Sequence, residues 1–284
     1  MGNDAATARA DSLPATARRI RQDIVRMLHA AGSGHPGGSL SVTDLLTALV
    51  FHELKLDPGR PDWPERDRLV LSKGHAAPAL YAALAERGFL PREELLTLRR
   101  LGSRLQGHVD RGKLPVIEAS TGCLGQGVGI AVGMALDARL GHRAHRVYAV
   151  LGDGECQEGS TWEALMAAGH YRLSNFVAIL DRNGIETDGP TESILGIEPI
   201  GDKFRAFRFH TLEIDGHDFG QILDAFAEAR RFVDGPTAIV ARTVKGKGVS
   251  FMEGQHGWHG KAPNRAEAER ALRELGTELE APFP

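Results

Sequence analysis

The sequence predicts an α/β fold, a doubly wound and mostly parallel sheet with helices on both faces. Three observations predict it. Short continuous apolar runs such as Val147–Leu151 and Phe176–Leu180 read as strands buried on both faces, as a parallel sheet requires. Segments with helical spacing separate these runs, which is the βαβ pattern. The composition, 42% apolar and 25% charged over 284 residues, is that of a globular chain long enough for one large core.

Each element follows in order. Residues 1–14 are small and polar and are expected to be flexible; a single domain is expected over residues 15–276, with 277–284 as a tail. A helix is predicted from Ala15, with Ile20, Ile24 and Leu28 on one face and Arg18, Arg19, Arg21 and Arg26 on a solvated one. The run Ala31-Gly-Ser-Gly-His-Pro-Gly-Gly38 is too rich in glycine for a helix interior and reads as a loop. Ser41-Val-Thr-Asp44 has the pattern of a capping box opening a second helix through Leu45, Leu46, Leu49 and Val50. Arg68–Leu71 is a short strand that enters Ser72-Lys73-Gly74-His75 and then an alanine-rich helix. Gly125, Gly129 and Gly133 recur on one predicted helix face, where their small size suits close helix packing. A helix from about Glu158 to His170 joins the two central strands. Strands at His210–Ile214 and Thr237–Ala241 flank a helix near Phe219–Phe232, and a last helix lies near Arg265–Leu275.

Composition also excludes classes of function. With 34 Lys+Arg against 37 Asp+Glu the formal net charge is −3, which argues against a nucleic-acid or membrane-surface partner. Cys123 and Cys156 are the only cysteines, too few for a disulfide framework, and neither belongs to a Cys-x-x-Cys pair. The first 20 residues lack the apolar core of a signal peptide. Ala119–Leu136 is uncharged, but its five glycines suit a bilayer poorly. The expected location is cytoplasmic.

The chemistry concentrates where strands end. Gly152-Asp153-Gly154 follows one buried strand and Asn183 follows the next, and such loops form the ligand crevice of an open α/β sheet. Flanking glycines let the backbone approach a phosphate and leave one carboxylate projecting. The Asp153 carboxylate, the Asn183 amide oxygen and the Ile185 carbonyl supply the hard oxygens that magnesium shares with a diphosphate. The helix near Glu158 turns its positive end toward the same place. His256 and His259, at i, i+3, leave a second metal pair open, though no third soft ligand accompanies them.

Gly152-Asp-Gly-Glu-Cys-Gln-Glu-Gly159 through Leu180-Asp-Arg-Asn183 resembles the thiamine-diphosphate-binding motif. Ser33-Gly-His-Pro-Gly-Gly38, Ser72-Lys-Gly-His-Ala-Ala77, Gly107-His108, Thr121-Gly-Cys-Leu-Gly-Gln-Gly127 and His256-Gly-Trp-His-Gly260 stand in the order they have in transketolases. The resemblance runs from about Arg18 to Leu275 and covers only that family's N-terminal, diphosphate-binding domain.

That resemblance implies roles. His75, His259 and Lys245 contact the diphosphate of thiamine diphosphate, with Gly154 against it. Gly122, Cys123 and Leu124 lie near the aminopyrimidine. His35 and His108 bind hydroxyls of the ketose donor and help move protons, with His259 close by, so His35, His75, His108 and His259 form the expected catalytic set. Asp153, Asn183 and Ile185 hold magnesium, or calcium in its place. Glu158 and Glu163 match acids at the family's subunit interface. The loop Asn183-Gly-Ile-Glu-Thr187 is where substrate choice is tuned.

The implied reaction transfers a two-carbon glycolaldehyde unit from a ketose, or its phosphate, to an aldose. The implied partner is a C-terminal transketolase subunit that carries the pyrimidine domain, in an α2β2 assembly inactive without it. Two other classes share part of the signature or the composition. One is the α subunit of a 2-oxo acid dehydrogenase or decarboxylase, against which the Ser-Gly-His-Pro and Ser-Lys-Gly-His-Ala segments argue; the other is a non-catalytic regulatory subunit.

Overall fold

Five strands, β1 (Arg68–Leu71), β2 (Val147–Gly152), β3 (Phe176–Arg182), β4 (His210–Asp215) and β5 (Thr237–Arg242), form one sheet in the order β1-β2-β3-β5-β4. Every neighbouring pair is parallel. The structure is a computed structural model that describes the backbone of residues 3–280 and the side chains of residues 13–280. All five segments read as strands are strands, and four continue one or two residues further. The helices are α1 (Asn3–Ala31), α2 (Pro36–Ser41), α3 (Thr43–Ala48), α4 (Ala77–Arg87), α5 (Gln126–Leu140), α6 (Gly159–His170), α7 (Thr191–Ile194), α8 (Ile200–Ala206), α9 (Phe219–Arg231) and α10 (Arg265–Glu274).

Alternate strand residues serve two cores. Leu69, Leu71, Tyr148, Val150, Val177, Ile179 and Ile239 face a layer built from α1, α3, α4, α9 and α10. Val70, Val147, Ala149, Leu151, Phe176, Ala178, Leu180 and Val240 face α5, α6 and α8. Period-two alternation with both faces covered is why these runs are apolar throughout. Each fully buried Leu, Ile or Phe contributes roughly 1.5–3 kcal/mol. Helices on both faces and parallel strands leave one edge free for chemistry, the carboxyl ends of β1, β2, β3 and β5.

Six expectations change. The helix predicted from Ala15 is continuous from Asn3, through Pro14. The glycine-rich loop ends early, because α2 starts at Pro36 and includes Gly37 and Gly38. A Cβ on Gly37 would lie 2.9 Å from the Trp258 carbonyl oxygen, and one on Gly38 would lie 3.1 Å from His75 Nε2. Close tertiary approach, rather than helix propensity, fixes those glycines. Ser41 closes α2 instead of capping α3; its hydroxyl donates to the Gly38 carbonyl at 3.1 Å and to Asp181 Oδ2 at 2.6 Å. Leu49 and Val50 fall in a single π-helical turn, Leu49–Glu53.

The arginine face of α1 is not solvated as a whole. Arg21 and Arg26 are buried, with Arg21 held by Asp44 at 2.6 Å and Arg26 Nη1 3.7 Å from Asp23, while Arg19 reaches Glu86 at 2.7 Å. Carboxylates from α3, α4 and α1 itself supply the charges that let guanidinium groups leave water. The glycine face of α5 also differs from expectation. Gly125 caps the helix at φ +84°, where a Cβ would lie 2.2 Å from Ser160 Oγ, but Gly129 and Gly133 have nothing within 4 Å. Among the described residues no helix is long and apolar enough to cross a membrane.

Candidate functional site

The strands deliver their site residues in register. β1 runs into Lys73 and His75, β2 into Asp153 and Gly154, β3 into Asn183 and Ile185, and β5 into Lys245. They line a cavity of about 290 Å³ together with His35, His108, Gly122, Leu124 and His259. Cys123 is exposed outside that lining, and Cys156 is buried with burial pushing its thiol far up, so both remain free thiols. Glu158 reaches the rim of the cavity, whereas Glu163 lies exposed on α6 away from it.

Four imidazoles form one cluster. Ring centroids separate His35 from His75, His108 and His259 by 5.4, 5.8 and 5.5 Å, and His75 from His259 by 5.2 Å. Such crowding works only if the rings are neutral. Burial first, then Arg99, His108 and Lys245, pushes His35 down to about 4. Burial and Lys245 push His259 down to about 3; burial and Lys73 hold His75 well below its ordinary value, and burial and Arg99 lower His108. At neutral pH each ring therefore offers one donor and one acceptor.

Lys245 fixes one of those rings. Its Nζ lies 2.8 Å from His259 Nδ1 and donates to the carbonyl oxygens of Ile185 and Glu186 at 3.1 and 3.0 Å. An ammonium only donates, so His259 Nδ1 is the acceptor and Nε2 carries the hydrogen, facing Thr187 Oγ1 at 3.4 Å. Burial, followed by Lys73, lowers Lys245 to about 8. The next residue back is also held: Val244 N donates to His217 Nε2 at 2.9 Å, and His217 Nδ1 meets Asp44 at 2.7 Å.

Hard oxygen atoms face these cations. Asp153 is buried; Oδ2 accepts the Gly184 amide at 2.5 Å, and Oδ1 has no hydrogen-bond partner, with Arg182 Nη1 as a charged neighbour at 3.4 Å. Burial raises Asp153 to about 6 against the pull of Arg182. Asn183 Oδ1 accepts the Ile185 amide at 3.2 Å. A buried carboxylate oxygen without a donor, beside an amide and a carbonyl oxygen, suits a hard divalent cation. No cluster of three or more His, Cys, Asp and Glu side chains is arranged to hold a metal among the described residues, and the His256–His259 pair gains no third ligand.

Two buried acids that sequence reasoning passed over shape the floor. Asp181 accepts from Lys73, Ser41 and Thr243; burial pulls its carboxyl up, and those three partners outweigh burial and leave it low. Glu155 accepts from Ser72 Oγ and, at 2.8 Å, from the Gly125 amide, which ties the 122–125 turn to β2. Gly74 packs on Thr121, where a Cβ would lie 2.6 Å from Oγ1 and 2.7 Å from the carbonyl oxygen. Lys73 and Glu155 both stand inside the motifs read from sequence, but nothing in the motifs announces that each is buried.

Ammonium groups on one side and hard oxygens on the other, at the carboxyl ends of parallel strands, define a diphosphate-binding α/β domain. The chain belongs to the transketolase family: residues 13–284 match its thiamine diphosphate binding domain. It is 46% identical over 259 residues to the 6-deoxy-6-sulfo-D-fructose transketolase subunit of Clostridium sp. (strain MSTE9), covering 91% of this chain and 94% of that one. It is 39% identical over 270 residues to an apulose-4-phosphate transketolase subunit of Phocaeicola vulgatus, covering 95% of this chain and 96% of that one. Against the Mus musculus transketolase the identity is 41% over 271 residues, but the match spans only 43% of that protein. The crystal structure of Campylobacter jejuni transketolase superposes with a TM-score of 0.90 at 34% identity, over 96% of this chain and 44% of that one.

Proposed function

We propose that this chain is the thiamine-diphosphate-binding subunit of a two-chain transketolase, moving a glycolaldehyde unit from a ketose donor to an aldose acceptor. Two relatives that it covers almost end to end are called subunits, which supports a separate partner carrying the pyrimidine domain, in an α2β2 assembly. The exposed Gly129 and Gly133 of α5, and Glu158 and Glu163 at the start of α6, form the face we assign to self-association. Each of those relatives is named for a sugar with a sulfonate or phosphate group, and we extend that to an anionic sugar here.

The observation that carries the reading is Asp153 Oδ1, buried and without a hydrogen-bond partner at the edge of the cavity. Asp153, Asn183 and the Ile185 carbonyl are the residues that would hold magnesium, with calcium as a substitute. His75, Gly154, Lys245 and His259 are those that would hold the diphosphate, and the 122–124 turn of Gly122, Cys123 and Leu124 would flank the aminopyrimidine. Thiamine diphosphate, when bound, supplies the electron sink that breaking a carbon–carbon bond beside a ketone requires.

The chain's own groups do the rest. Lys245 now donates to the Ile185 carbonyl, and turning toward a diphosphate oxygen frees that carbonyl for the cation. An ammonium whose charge is suppressed by burial gains most from an anionic partner. Neutral His35 and His108, with His259 close by, would accept and return protons from sugar hydroxyls, because an uncharged imidazole can do both at neutral pH.

The test is calorimetric titration of thiamine diphosphate with magnesium into the chain mixed with a pyrimidine-domain partner, alongside an assay of ketose-to-aldose transfer. Saturable, magnesium-dependent binding and transfer are expected, and Asp153→Asn should remove both while leaving the circular dichroism spectrum unchanged. Binding indifferent to magnesium, or transfer unaffected by the substitution, refutes the metal assignment.

A further inference from the structure

Among the described residues β4 gives the cavity no lining side chain, yet the turn after it reaches the site from behind. Gly216 makes the approach possible: a Cβ there would lie 2.5 Å from Thr243 Cγ2 and 3.1 Å from Ala241 Cβ. Only glycine lets that turn press on the end of β5. The Gly216 amide donates to the Arg242 carbonyl at 2.7 Å and the His217 amide to Asp215 Oδ1 at 2.8 Å, which seats the His217 ring against Val244.

The directions of donation fix the tautomer of that ring. A backbone amide only donates, so the bond from Val244 N at 2.9 Å makes His217 Nε2 an acceptor without hydrogen. Nδ1 then carries the hydrogen and gives it to Asp44 Oδ2 at 2.7 Å. Asp44 is itself clamped by Arg21, through Oδ1 at 2.9 Å and Oδ2 at 2.6 Å. His217 is thus neutral and protonated on Nδ1, the reverse of His259.

What this ring holds is the backbone that carries Lys245. The amides of Thr243 and Gly246 end on backbone oxygens, those of Arg182 and Gly37, at 3.0 Å each. Of these three amides only that of Val244 depends on a side chain. Lys245 is buried, and its ammonium is shared among Ile185 O, Glu186 O and His259 Nδ1, so a shift of residue 244 moves it against all three. We propose that His217, locked by Asp44 and Arg21, is a positioning residue that sets where the Lys245 ammonium points. That a diphosphate is what Lys245 meets rests on the transketolase reading; the placement of Lys245 by His217 does not.

Two measurements separate these, and both use a pair of substitutions. Glutamine puts an oxygen where Nε2 lies and still accepts from Val244; asparagine reaches only to Nδ1, keeping the donor to Asp44 and losing the acceptor. In the first measurement the full chain is isotope-labelled at its histidine nitrogens, and proton–nitrogen correlation spectra distinguish ring nitrogens that carry hydrogen. His259→Gln assigns the His259 signals. Hydrogen is expected on His217 Nδ1 and on His259 Nε2. Because Lys245 donates to His259 Nδ1, that nitrogen reports on the ammonium: it should shift in His217→Asn and stay in place in His217→Gln. Hydrogen on His217 Nε2, or a His259 spectrum indifferent to His217→Asn, overturns the proposal.

In the second, thiamine diphosphate with magnesium is titrated calorimetrically into the two-chain enzyme. His217→Asn should weaken binding about tenfold and His217→Gln by no more than about twofold. Urea titration gives the stability of each variant, and affinities that follow stability instead of the acceptor for Val244 overturn the proposal. A His259 response with no change in affinity supports the placement of Lys245 and refutes its assignment to the diphosphate. Absence of binding to the original pair counts against the two-chain reading, and the spectra then decide the role of His217 by themselves.

Discussion

Replacing His35 by glutamine changes how stability depends on pH. In the unfolded chain an imidazole gains its proton as pH falls through 6.5, but in the fold burial and Arg99 hold His35 neutral down to about 4. Between those values the unfolded state binds more protons, so stability rises with pH there: the loss is absent above 6.5, grows on acidification and is complete near 4. From pH 7 to pH 5 the linkage amounts to about 2 kcal/mol. His35 is only partly buried, and solvent screening halves this to about 1 kcal/mol. Asp23 and Asp153, both raised to about 6 chiefly by burial, act with the opposite sign, since the fold then binds the proton more tightly than the unfolded chain. Their contributions cancel when the original chain and His35→Gln are compared at each pH. Urea unfolding followed by circular dichroism at pH 7 and pH 5 should show the original chain losing about 1 kcal/mol relative to the variant. A difference that is the same at both pH values refutes the neutral-imidazole argument.

Gly74→Ala drives a Cβ to 2.6 Å from Thr121 Oγ1 and should cost about 1–3 kcal/mol in a urea titration, while Gly129→Ala, with open space around it, should gain up to about 1 kcal/mol. Asp181→Asn leaves the buried Lys73 ammonium without its counter-charge and should cost about 3–5 kcal/mol. Adding Lys73→Met to that variant should recover part of the loss, and a double variant less stable than the single one would falsify the pairing argument. Asp153→Asn should lower magnesium affinity in the presence of thiamine diphosphate by more than the roughly hundredfold that outer-shell changes cost, measured by calorimetry.

What can be read from sequence follows from periodicity, and what cannot follows from tertiary contact. β2 and β3 are visible because strands covered on both faces leave no polar positions to interrupt the run. Gly152-Asp-Gly154 and Asn183 are visible because they fall where those runs stop. By contrast α2 is hidden: helix propensity counts Gly37 and Gly38 as breakers, yet both are demanded by Trp258 and His75 from far along the chain. Ser41 matches a helix cap, and only the fold shows its hydroxyl committed to Asp181. Lys73, Asp181 and Glu155 carry charge, so sequence places them at the surface; their burial depends on partners that come together only in three dimensions. Arg21 and Arg26 escape sequence reasoning in the same way. The spacing of Gly129 and Gly133 does mark a face of small residues, but within this chain nothing packs there.

The strand order also governs how the molecule comes into being. β5 inserts between β3 and β4, so the sheet cannot close until Thr237–Arg242 has left the ribosome. His259 and the Trp258 carbonyl, which wall the cavity, emerge later still. Such long-range parallel pairing is slow to form and leaves β3 waiting with an unpaired edge during synthesis. A nascent chain stalled before residue 237 therefore presents bare backbone along β3. During that interval the open edge of β3 is exposed to pairing with the wrong strand.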